Sequence, residues 1–562
     1  MAIQFDYDKL NQDRCVKGRE VMAHVKEMCA DPMGINTHFL MELLEKNKDT
    51  AFGREHHFSE IKTIEDYQKM VPVGVYDNFA PYIERMTRGE KNMLTADEVV
   101  HYNITSGTTG VPKRIPLTQK AMANYMYYGE SLIYGLLDEL PDDRWKRGRR
   151  IMLMECPDTI GHVEDGTTCD ILSFKLNTQH KKYYPIFNTS PMEAAFPRGD
   201  YETRYIHALF ALKDRNASCL AFTFSSHCLE FLRYLRKTWP MLCDDIENGC
   251  VNKAYELPDD IRASLDAQLT PDPERAAELR TIFKEKKQFV PYVWPNMTNV
   301  NSVATGSFRT YAERLINDYM GPDIHWYNIG LCASEGMYSV PEALDSQYSM
   351  FIPDNMFYEL LPVETEDDLS TICTLDQVEV GKEYELVCTT LSGLYRYRQA
   401  DVVRIVGFKD RMPLMEFVCR KGNVIEMFAE KTSEKHLIDA VDGMAHELSL
   451  DVVDFSVYPN MEAGTPRYDV LLELANSDEV TVPVETMAEV LTKYLYKANI
   501  LYYNHVMSKD LAPLKLQLLQ DQTNVLYKEM LAYKGWPVAQ IKPVHIIRNE
   551  TQRKFFFGLV KS

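Results

Sequence analysis

The chain has 562 residues and a mass of 65.0 kDa, which is too long for one compact domain at roughly 100–200 residues per domain. Hydrophobic residues make up 45% and charged residues 26%, so the composition is that of a globular protein and excludes disordered, collagenous and coiled-coil chains. A formal net charge of −20 and an isoelectric point near 5.2 disfavour nucleic acid and anionic membrane surfaces as partners, because an acidic chain repels both.

The cysteines and the two termini indicate the cellular setting. The 12 cysteines are scattered without C-x-x-C pairs, so neither a zinc ribbon nor a disulfide framework is indicated. The first residues lack the basic and apolar segments of a signal peptide, and the last residues carry no prenylation motif. No apolar run approaches the roughly 20 residues that a membrane helix needs. We therefore expect a soluble, cytoplasmic monomer.

The first 420 residues predict an α/β fold. Helices fill the first hundred residues as far as an extended segment at 71–76, where a proline and β-branched residues disfavour helix. A strand is predicted at 99–104, a Ser/Thr/Gly-rich loop at 105–112, and a helix at 119–137 with Thr118 as its N-cap. Further strands, with helices between several of them, are predicted at 151–156, 218–224, 300–304, 324–329, 384–390 and 401–407.

A second domain is predicted after the string Phe417-Val418-Cys419-Arg420-Lys421-Gly422. The charged segment 257–282 is interpreted as a helical surface excursion and not as a linker. Past residue 422 the pattern restarts with shorter elements. Strands are predicted near 452–458, 467–474, 512–519 and 541–547, and helices near 433–447, 483–498 and 521–534. We therefore predict a large domain over 1–420 and a small, mobile α/β domain over 423–562.

The first candidate motif is the string Ile104-Thr105-Ser106-Gly107-Thr108-Thr109-Gly110-Val111-Pro112-Lys113. Its small residues allow backbone N–H groups to approach an anion, and its hydroxyls and lysine can complete a phosphate cradle. It is not a Walker A loop, which needs four residues between its glycines and a lysine directly after the second. The alternative is a hydrophilic hairpin turn. We favour the phosphate loop because the core S-G-T-T-G-x-P-K resembles that of adenylate-forming enzymes.

The second candidate motif runs from Trp326 to Gly336 and places Glu335 after a predicted strand. Ligands of α/β sheets bind at such strand ends, and a glutamate there can hold Mg²⁺, which prefers oxygen ligands. The alternative is an exposed loop glutamate.

The third candidate motif is Gly393-Leu394-Tyr395-Arg396-Tyr397-Arg398-Gln399-Ala400-Asp401-Val402-Val403-Arg404. Asp401 could accept hydrogen bonds from both ribose hydroxyls, and Arg398 or Arg404 could lie near phosphate. The alternative is an amphipathic strand with a solvated basic face.

Together these strings resemble the acyl acid–amido synthetases of the auxin-responsive Gretchen Hagen type, a branch of the adenylate-forming superfamily. The resemblance runs nearly end to end. Other strings that carry it are Val71-Pro72-Val73, Pro81-Tyr82-Ile83-Glu84-Arg85, Trp294-Pro295-Asn296, Thr305-Gly306 and Val380-Gly381-Lys382-Glu383-Tyr384-Glu385-Leu386-Val387. Gly-Leu-Tyr-Arg-Tyr-Arg is far more specific to this branch than the phosphate loop is.

The resemblance implies ATP and Mg²⁺ as cofactors, and a site made of residues from the three motifs. The ATP phosphates would be held by Thr105, Ser106, Gly107, Thr108, Thr109 and Lys113. Glu335 would hold the metal, Ala333 and Ser334 would lie against the adenine, and Asp401 would bind the ribose.

Two further residues come from the same resemblance. Phe357 falls where the family places an aromatic beside the nucleotide, with a core phenylalanine as the alternative. Lys542 resembles the family's late lysine, which closes over the acyl phosphate, with an ordinary surface lysine as the alternative. The small domain of the family rotates between half-reactions, here about a hinge near 420–422.

Two positions depart from the family pattern. The usual Val-Gly before the ribose aspartate is Gln399-Ala400 here; if that glycine has positive φ, alanine costs roughly 1 kcal/mol in its place, which favours a different turn. The phosphate loop Thr105–Thr109 is closer to the wider superfamily than to the plant-like Ser-Ser-Gly-Thr-Ser.

The implied reaction is adenylation of a carboxylic acid by ATP, followed by transfer of the acyl group to an amino acid amine. The acyl pocket is expected between the helix after the phosphate loop and two later turns. Its expected residues are Met122, Tyr125, Met126, Ser225, His227, Thr305 and Gly306, several of which could equally be core. The alternatives are an acyl-CoA ligase and a non-catalytic nucleotide-binding relative; neither the acid nor the amine can be read from the sequence.

Overall fold

The chain divides into two compact units. The computed structural model describes residues 7–105, 113–153, 160–179, 183–195, 200–365, 367–421, 424–428, 430–534, 536, 538 and 541–561. The large unit comprises Met1–Arg198 and Glu202–Val418, and the small unit comprises Gly199–Tyr201 and Cys419–Ser562.

The helices of the large unit include five in the first ninety residues. They are α1 Tyr7–Ala30, α2 Pro32–Asn47, α3 Ala51–Glu55, α4 Ile64–Met70, α5 Tyr76–Thr87, α6 Gln119–Asn124, α7 Leu132–Asp138, α8 Leu172–Gln179, α9 Tyr184–Phe187, α10 Asp200–Lys213, α11 Ser225–Asn248, α12 Asp259–Asp266, α13 Pro273–Glu285, α14 Val290–Val293 and α15 Arg309–Leu315. The segment 71–75 is extended as predicted, but Tyr76 already begins α5. Thr118 caps α6 by accepting a hydrogen bond from the Ala121 N–H.

The predicted helix 119–137 contains a π-helical stretch, Tyr125–Ser131, between α6 and α7. Such wide turns shift the side chains that follow them and are frequent at functional sites. Tyr125, one of the expected pocket residues, begins this stretch.

The two longest strands of the large unit lie at its carboxyl end. In chain order the strands are β1 Val99–Ile104, β2 Arg114–Thr118, β3 Arg149–Met152, β4 Thr168–Asp170, β5 Ala217–Phe224, β6 Asn299–Val303, β7 His325–Tyr327, β8 Cys332–Ala333, β9 Gly336–Met337, β10 Ser339–Pro341, β11 Ser349–Phe351, β12 Met356–Pro362, β13 Glu383–Thr390, β14 Tyr397–Lys409 and β15 Met412–Arg420. The predicted strand at 151–156 is β3, which ends at Met152; residues 154–156 lie outside the described residues.

The strands of the large unit form three main sheets. One is parallel, in the order β3-β5-β6-β7. A second has six strands in the order β10-β11-β15-β14-β13-β12, and a third has the order β2-β1-β4. The parallel sheet with its helices confirms the predicted α/β class, because parallel strands need crossover connections that are usually helical.

The small unit has its own sheet and helices. Its elements are β16 Val424–Ile425, β17 Thr432–Ser433, α16 Glu434–Leu448, β18 Val452–Asn460, β19 Arg467–Leu474, α17 Val484–Ala498, α18 Ile500–Met507, β20 Lys515–Leu518, α19 Thr523–Tyr533 and α20 Glu550–Gly558. The predicted strand near 541–547 is wrong: this segment forms only a single bridge, between Val457 and Ile546. Pro543 has no N–H to donate to a ladder, which explains the interruption.

Candidate active site

Glu335 lies at the tip of a tight hairpin. Strands β8 and β9 pair Ala333 with Gly336, which leaves Ser334 and Glu335 as the two-residue turn. The hairpin is fixed from two sides, because the Asn103 amide donates to the Ser334 carbonyl at 3.1 Å and the Tyr125 hydroxyl donates to the Ala333 carbonyl at 2.6 Å. The hairpin that carries Glu335 is therefore bonded to β1 at Asn103, two residues before the predicted phosphate loop begins at Thr105.

The two ends of the predicted phosphate loop are joined to each other. The Thr105 N–H donates to the Lys113 carbonyl at 3.1 Å, and the Lys113 N–H donates to the Thr105 hydroxyl at 3.3 Å. The Lys113 side chain is exposed, with its ammonium 5.3 Å from the ring centroid of Tyr76. The loop residues Ser106, Gly107, Thr108 and Thr109 lie outside the described residues.

Asp401 is buried beside a bulge in strand β14. Glu385 pairs with Val402 and Val387 with Arg398, so three residues, 399–401, lie opposite the single Leu386. The middle residue, Ala400, has φ +70°. Ala400 thus adopts a left-handed conformation that glycine adopts more easily, at a cost of roughly 1 kcal/mol. Bulges are frequent next to active sites, where they can redirect a side chain, and Asp401 is the last of the three residues in this one.

A tyrosine that the sequence analysis did not single out lies among these acidic groups. Tyr338 is fully buried, and its hydroxyl has no hydrogen-bond partner within the part of the chain that the structure describes. Burial raises the pKa of Tyr338 well above its usual value, and the charges of Glu335 and Asp401 add to that rise. An unsatisfied buried hydroxyl costs roughly 1–3 kcal/mol, so it needs an explanation, and a ligand or an ordered water would supply one.

Two predicted contacts receive no support from the geometry. Phe357 has no exposed surface and packs edge-to-face on Tyr67 at 6.0 Å, which favours the core interpretation. Arg398 donates through Nε and Nη2 to the two carboxylate oxygens of Glu385, at 2.6 and 2.7 Å, so a local carboxylate already balances its charge. Phe357 therefore packs β12 against α4, and Arg398 joins β14 to β13.

The expected pocket residues lie on two parts of the large unit. Met122 and Tyr125 are buried on the helix that follows the loop, whereas Met126 is partly exposed. Ser225 and Thr305 follow β5 and β6, which pair Phe224 with Val303, so both lie at the carboxyl edge of the parallel sheet.

The two turns at this edge are packed by aromatic rings. Ser225 is fully buried and donates to the Phe308 carbonyl at 2.7 Å, so its hydroxyl positions the turn. The rings of Phe224 and Phe308 stack with centroids 4.6 Å apart, and His227 packs edge-to-face on Phe224. Gly306 has φ +57°, and a side chain there would meet the ring of Phe417 at 3.1 Å.

Lys542 belongs to the small unit and is exposed. Its charge acts on Glu434, the first residue of α16, and contributes to the lowered pKa of that carboxyl group.

The fold is that of adenylate-forming ligases. A solved acyl acid amido synthetase, GH3.15, superimposes with a TM-score of 0.82 at 23% identity, covering 96% of each chain. A 2-hydroxyisobutyryl-CoA ligase superimposes with a TM-score of 0.52 at 10% identity, covering 94% of this chain and 89% of that one. Both likenesses concern the fold.

The sequence defines the family more narrowly. Residues 21–324 match the GH3 family N-terminal domain, 349–420 the central domain and 435–551 the C-terminal domain. The chain therefore belongs to the GH3 family.

Named relatives agree with the family assignment. The indole-3-acetic acid-amido synthetase GH3.6 of Arabidopsis thaliana is 24% identical, over 90% of this chain and 87% of the relative. The jasmonoyl–L-amino acid synthetase JAR4 of Nicotiana attenuata is 28% identical, over 81% of each. Family and relatives identify the chain as an enzyme, an AMP-forming ligase of the acid–amido synthetase class.

Metal-binding clusters and membrane-spanning helices are both absent from the described ranges. No cluster of three or more His, Cys, Asp or Glu side chains suited to a metal ion occurs there. No helix in that part of the chain combines the length and the apolar character needed to cross a bilayer.

Proposed function

We propose that the large unit binds ATP and a carboxylic acid around Glu335 and Asp401, and that the activated acid is passed to an amino acid. In the first step the carboxylate attacks the α-phosphorus and pyrophosphate leaves. In the second step the amine attacks the acyl carbon, AMP leaves and the amine gives up a proton. The observation that carries the proposal is that two buried carboxylates, Glu335 and Asp401, both raise the pKa of the buried Tyr338, whose hydroxyl has no hydrogen-bond partner among the described residues, while Asn103, two residues before the phosphate loop, bonds to the hairpin of Glu335.

Each part of ATP has a proposed partner. The loop from Thr105 to Thr109, with Lys113 at its exit, holds the phosphates, since backbone N–H groups and an ammonium neutralise their charge. Asp401, turned by the bulge at Ala400, accepts from the ribose hydroxyls. The hairpin at Ala333 and Ser334 lies against the adenine, and its two hydrogen bonds to Asn103 and Tyr125 keep it in place.

Glu335 is the proposed ligand of Mg²⁺. Mg²⁺ is commonly bound by one or two carboxylates together with substrate phosphates, so a single buried glutamate beside a phosphate loop suits it. When bound, the ion supplies further neutralisation of phosphate charge. Glu335 itself, held in a two-residue turn, supplies a fixed oxygen ligand at that point.

The remaining assignments complete the proposal. The adenylation domain spans 1–420, and the small domain over 423–562 contributes Lys542, which acts on the acyl phosphate. The free thiols at all eleven described cysteines support a reducing, cytoplasmic setting, and we propose a monomer.

The acid is proposed to be a largely apolar carboxylic acid. The expected pocket residues are accompanied by apolar side chains in both parts of the large unit: the stacked rings of Phe224 and Phe308 in one, and the buried Met122 and Tyr125 in the other. Relatives are named for indole-3-acetic acid and jasmonoyl conjugates, and one solved structure of GH3.15 contains 2,4-DB. These acids are the first probes to test.

The ATP site is tested by the variant Glu335→Gln. Acid-dependent pyrophosphate exchange should fall ten-fold or more, roughly 1.4 kcal/mol or above, because a neutral amide is a poor ligand for Mg²⁺. Circular dichroism and thermal unfolding should stay as in the wild type. The matched control is Glu379→Gln, an exposed glutamate paired with Lys382, which should leave exchange unchanged. Wild-type exchange in Glu335→Gln would remove Glu335 from the site.

A further inference from the structure

The segment that carries Lys542 is fixed to the sheet of the small unit. The Val457 N–H donates to the His545 carbonyl, and the Ile547 N–H donates to the Val457 carbonyl, both at 2.9 Å. The Ser456 hydroxyl donates to the Val544 carbonyl at 2.6 Å. These contacts attach 544–547 to β18 directly after Lys542 and Pro543.

His545 lies buried between two carboxylates. Its Nδ1 is 2.5 Å from Glu434 Oε1, its Nε2 is 3.0 Å from Asp454 Oδ1, and its ring stacks on Phe455 with centroids 4.5 Å apart. A neutral imidazole has one N–H, so it can donate to only one of two carboxylates. With a carboxylate at each ring nitrogen, the ring is held as an imidazolium.

The surrounding charges give this arrangement a consequence for Lys542. The positive charges of His545 and Lys542 act to lower the pKa of the Glu434 carboxyl group, and the negative charge of Asp454 acts to raise it. The negative charge of Glu434 acts in turn to raise the pKa of Arg548. The negative charge of Asp454 also acts to raise the pKa of the Glu473 carboxyl group. If the charge on His545 were removed, Glu434 would lose the cation bonded to it, and Lys542 would be drawn towards the unbalanced carboxylate.

We propose that His545 is a positioning residue for Lys542: as an imidazolium between Glu434 and Asp454, it anchors the lysine-bearing segment to β18 and balances the charge of Glu434, so that Lys542 is not drawn onto that carboxylate. The proposal rests on the proposed function, in which Lys542 acts on the acyl phosphate during adenylation.

The first test is a double-mutant cycle in the full-length protein. Lys542→Ala, His545→Gln and the double variant are assayed for acid-dependent pyrophosphate exchange, and for amide formation from a supplied acyl-adenylate. Each single variant should lose ten-fold or more in exchange, and the double variant should be no slower than Lys542→Ala. Amide formation should stay within two-fold of the wild type. Losses that multiply in the double variant would overturn the positioning role.

A second variant separates positioning from general destabilisation. Adding Glu434→Gln to His545→Gln removes the carboxylate that would capture Lys542, so exchange should recover at least three-fold over His545→Gln alone. If the role of His545 were purely structural, pyrophosphate exchange would not recover, because the second change removes a further native contact. The control Tyr468→Phe, which loses hydrogen bonds to Glu430 and Thr432 in the same unit, should leave exchange unchanged.

The outcomes also separate this proposal from the one on which it rests. If Lys542→Ala keeps wild-type exchange, the role of Lys542 is wrong and the positioning role is wrong with it. If Lys542→Ala is impaired while His545→Gln is not, only the positioning role is overturned.

Discussion

Ala400 has a backbone conformation that glycine adopts more easily, with φ +70°. The Cβ atom of alanine makes this conformation unfavourable by roughly 1 kcal/mol. We infer that the same conformation orients the side chain of Asp401. The buried pairing of β13 with β14 on both sides of the bulge offsets this cost.

Two substitutions at Ala400 should separate the cost of backbone strain from the effect of the bulge on the position of Asp401. Ala400→Gly should relieve the strain but add freedom to the unfolded chain, for a net gain of about 0.5 kcal/mol in unfolding free energy and an unchanged KM for ATP. Ala400→Val introduces a β-branched side chain that fits a positive φ poorly, so the bulge should shift and the KM for ATP should rise at least three-fold. Urea unfolding and initial rates measure both effects. An unchanged KM in Ala400→Val would show that the bulge does not position Asp401.

His545 predicts a pH-dependent stability for the small unit. Burial alone would lower the pKa of His545, but the hydrogen bonds and charges of Asp454 and Glu434 outweigh burial and raise it to about 10. Between an unfolded value near 6.5 and about 10, the folded form holds one proton more than the unfolded form. This contribution is therefore complete below pH 6.5 and is lost as the pH rises through 10.

The expected slope is up to about 1.4 kcal/mol of unfolding free energy lost per pH unit in that window. Urea unfolding of the full chain between pH 7 and 9.5, followed by a probe in the small unit, measures it. His545→Gln should remove this part of the slope. A slope equal to that of the wild type would show that the ring is not charged in the folded state.

Arg396 shows how one residue joins three elements of the large unit. Its guanidinium donates twice to Glu359 on β12, at 2.9 Å each, and to the carbonyls of Gln68 and Val71 at 2.7 and 2.8 Å. The Gly74 N–H in turn donates to the Arg396 carbonyl. The family string that contains Arg396 therefore holds the extended segment 71–75 against the sheet next to Asp401.

Arg396→Met should destabilise the large unit strongly. The loss leaves Glu359 buried without its cation, which costs about 3–5 kcal/mol in comparable buried pairs. The control Arg404→Met breaks partly exposed ion pairs with Glu383 and Glu416, and should cost under about 1 kcal/mol. Guanidinium unfolding curves of the two variants compare these costs; equal losses would contradict a special role for the buried pair.

The sequence pattern predicted elements where one local signal dominated. The strand 99–104 has alternating apolar residues followed by Gly and Thr, and the helix 119–137 has a capping threonine, so both were predicted close to their observed bounds. The segment 541–547 looked like a strand because β-branched residues are frequent in it. Its pairing depends on β18, which is distant in sequence, and on a proline that interrupts the ladder.

The site was predictable only as a set of motifs. Glu335, Asp401 and the ends of the phosphate loop follow from strings that resemble a known family. The bulge at Ala400 and the buried hydroxyl of Tyr338 depend on pairing between distant strands, and no local pattern reveals them. Phe357 is the opposite case: its sequence motif predicted a contact with the nucleotide, whereas its ring packs on Tyr67 in the core.

At the scale of the whole molecule, each of the two units has hydrophobic core residues of its own. The groups proposed to bind ATP come from the large unit, and Lys542 comes from the small one. The acidic surface, with a net charge of −20, leaves local groups such as Lys113 to attract the phosphates.

The reaction to be tested is the formation of an amide from an adenylated acid and an amino acid. The most direct measurement is mass spectrometry of products formed from the preferred acid, ATP and Mg²⁺ with pooled amino acids or with CoA. We predict an acyl–amino acid amide together with AMP. Transfer should quicken from pH 7 to 9, because only the neutral amine attacks and an α-amino group has a pKa near ~8. A thioester formed with CoA, and no amide with any amino acid, would contradict it.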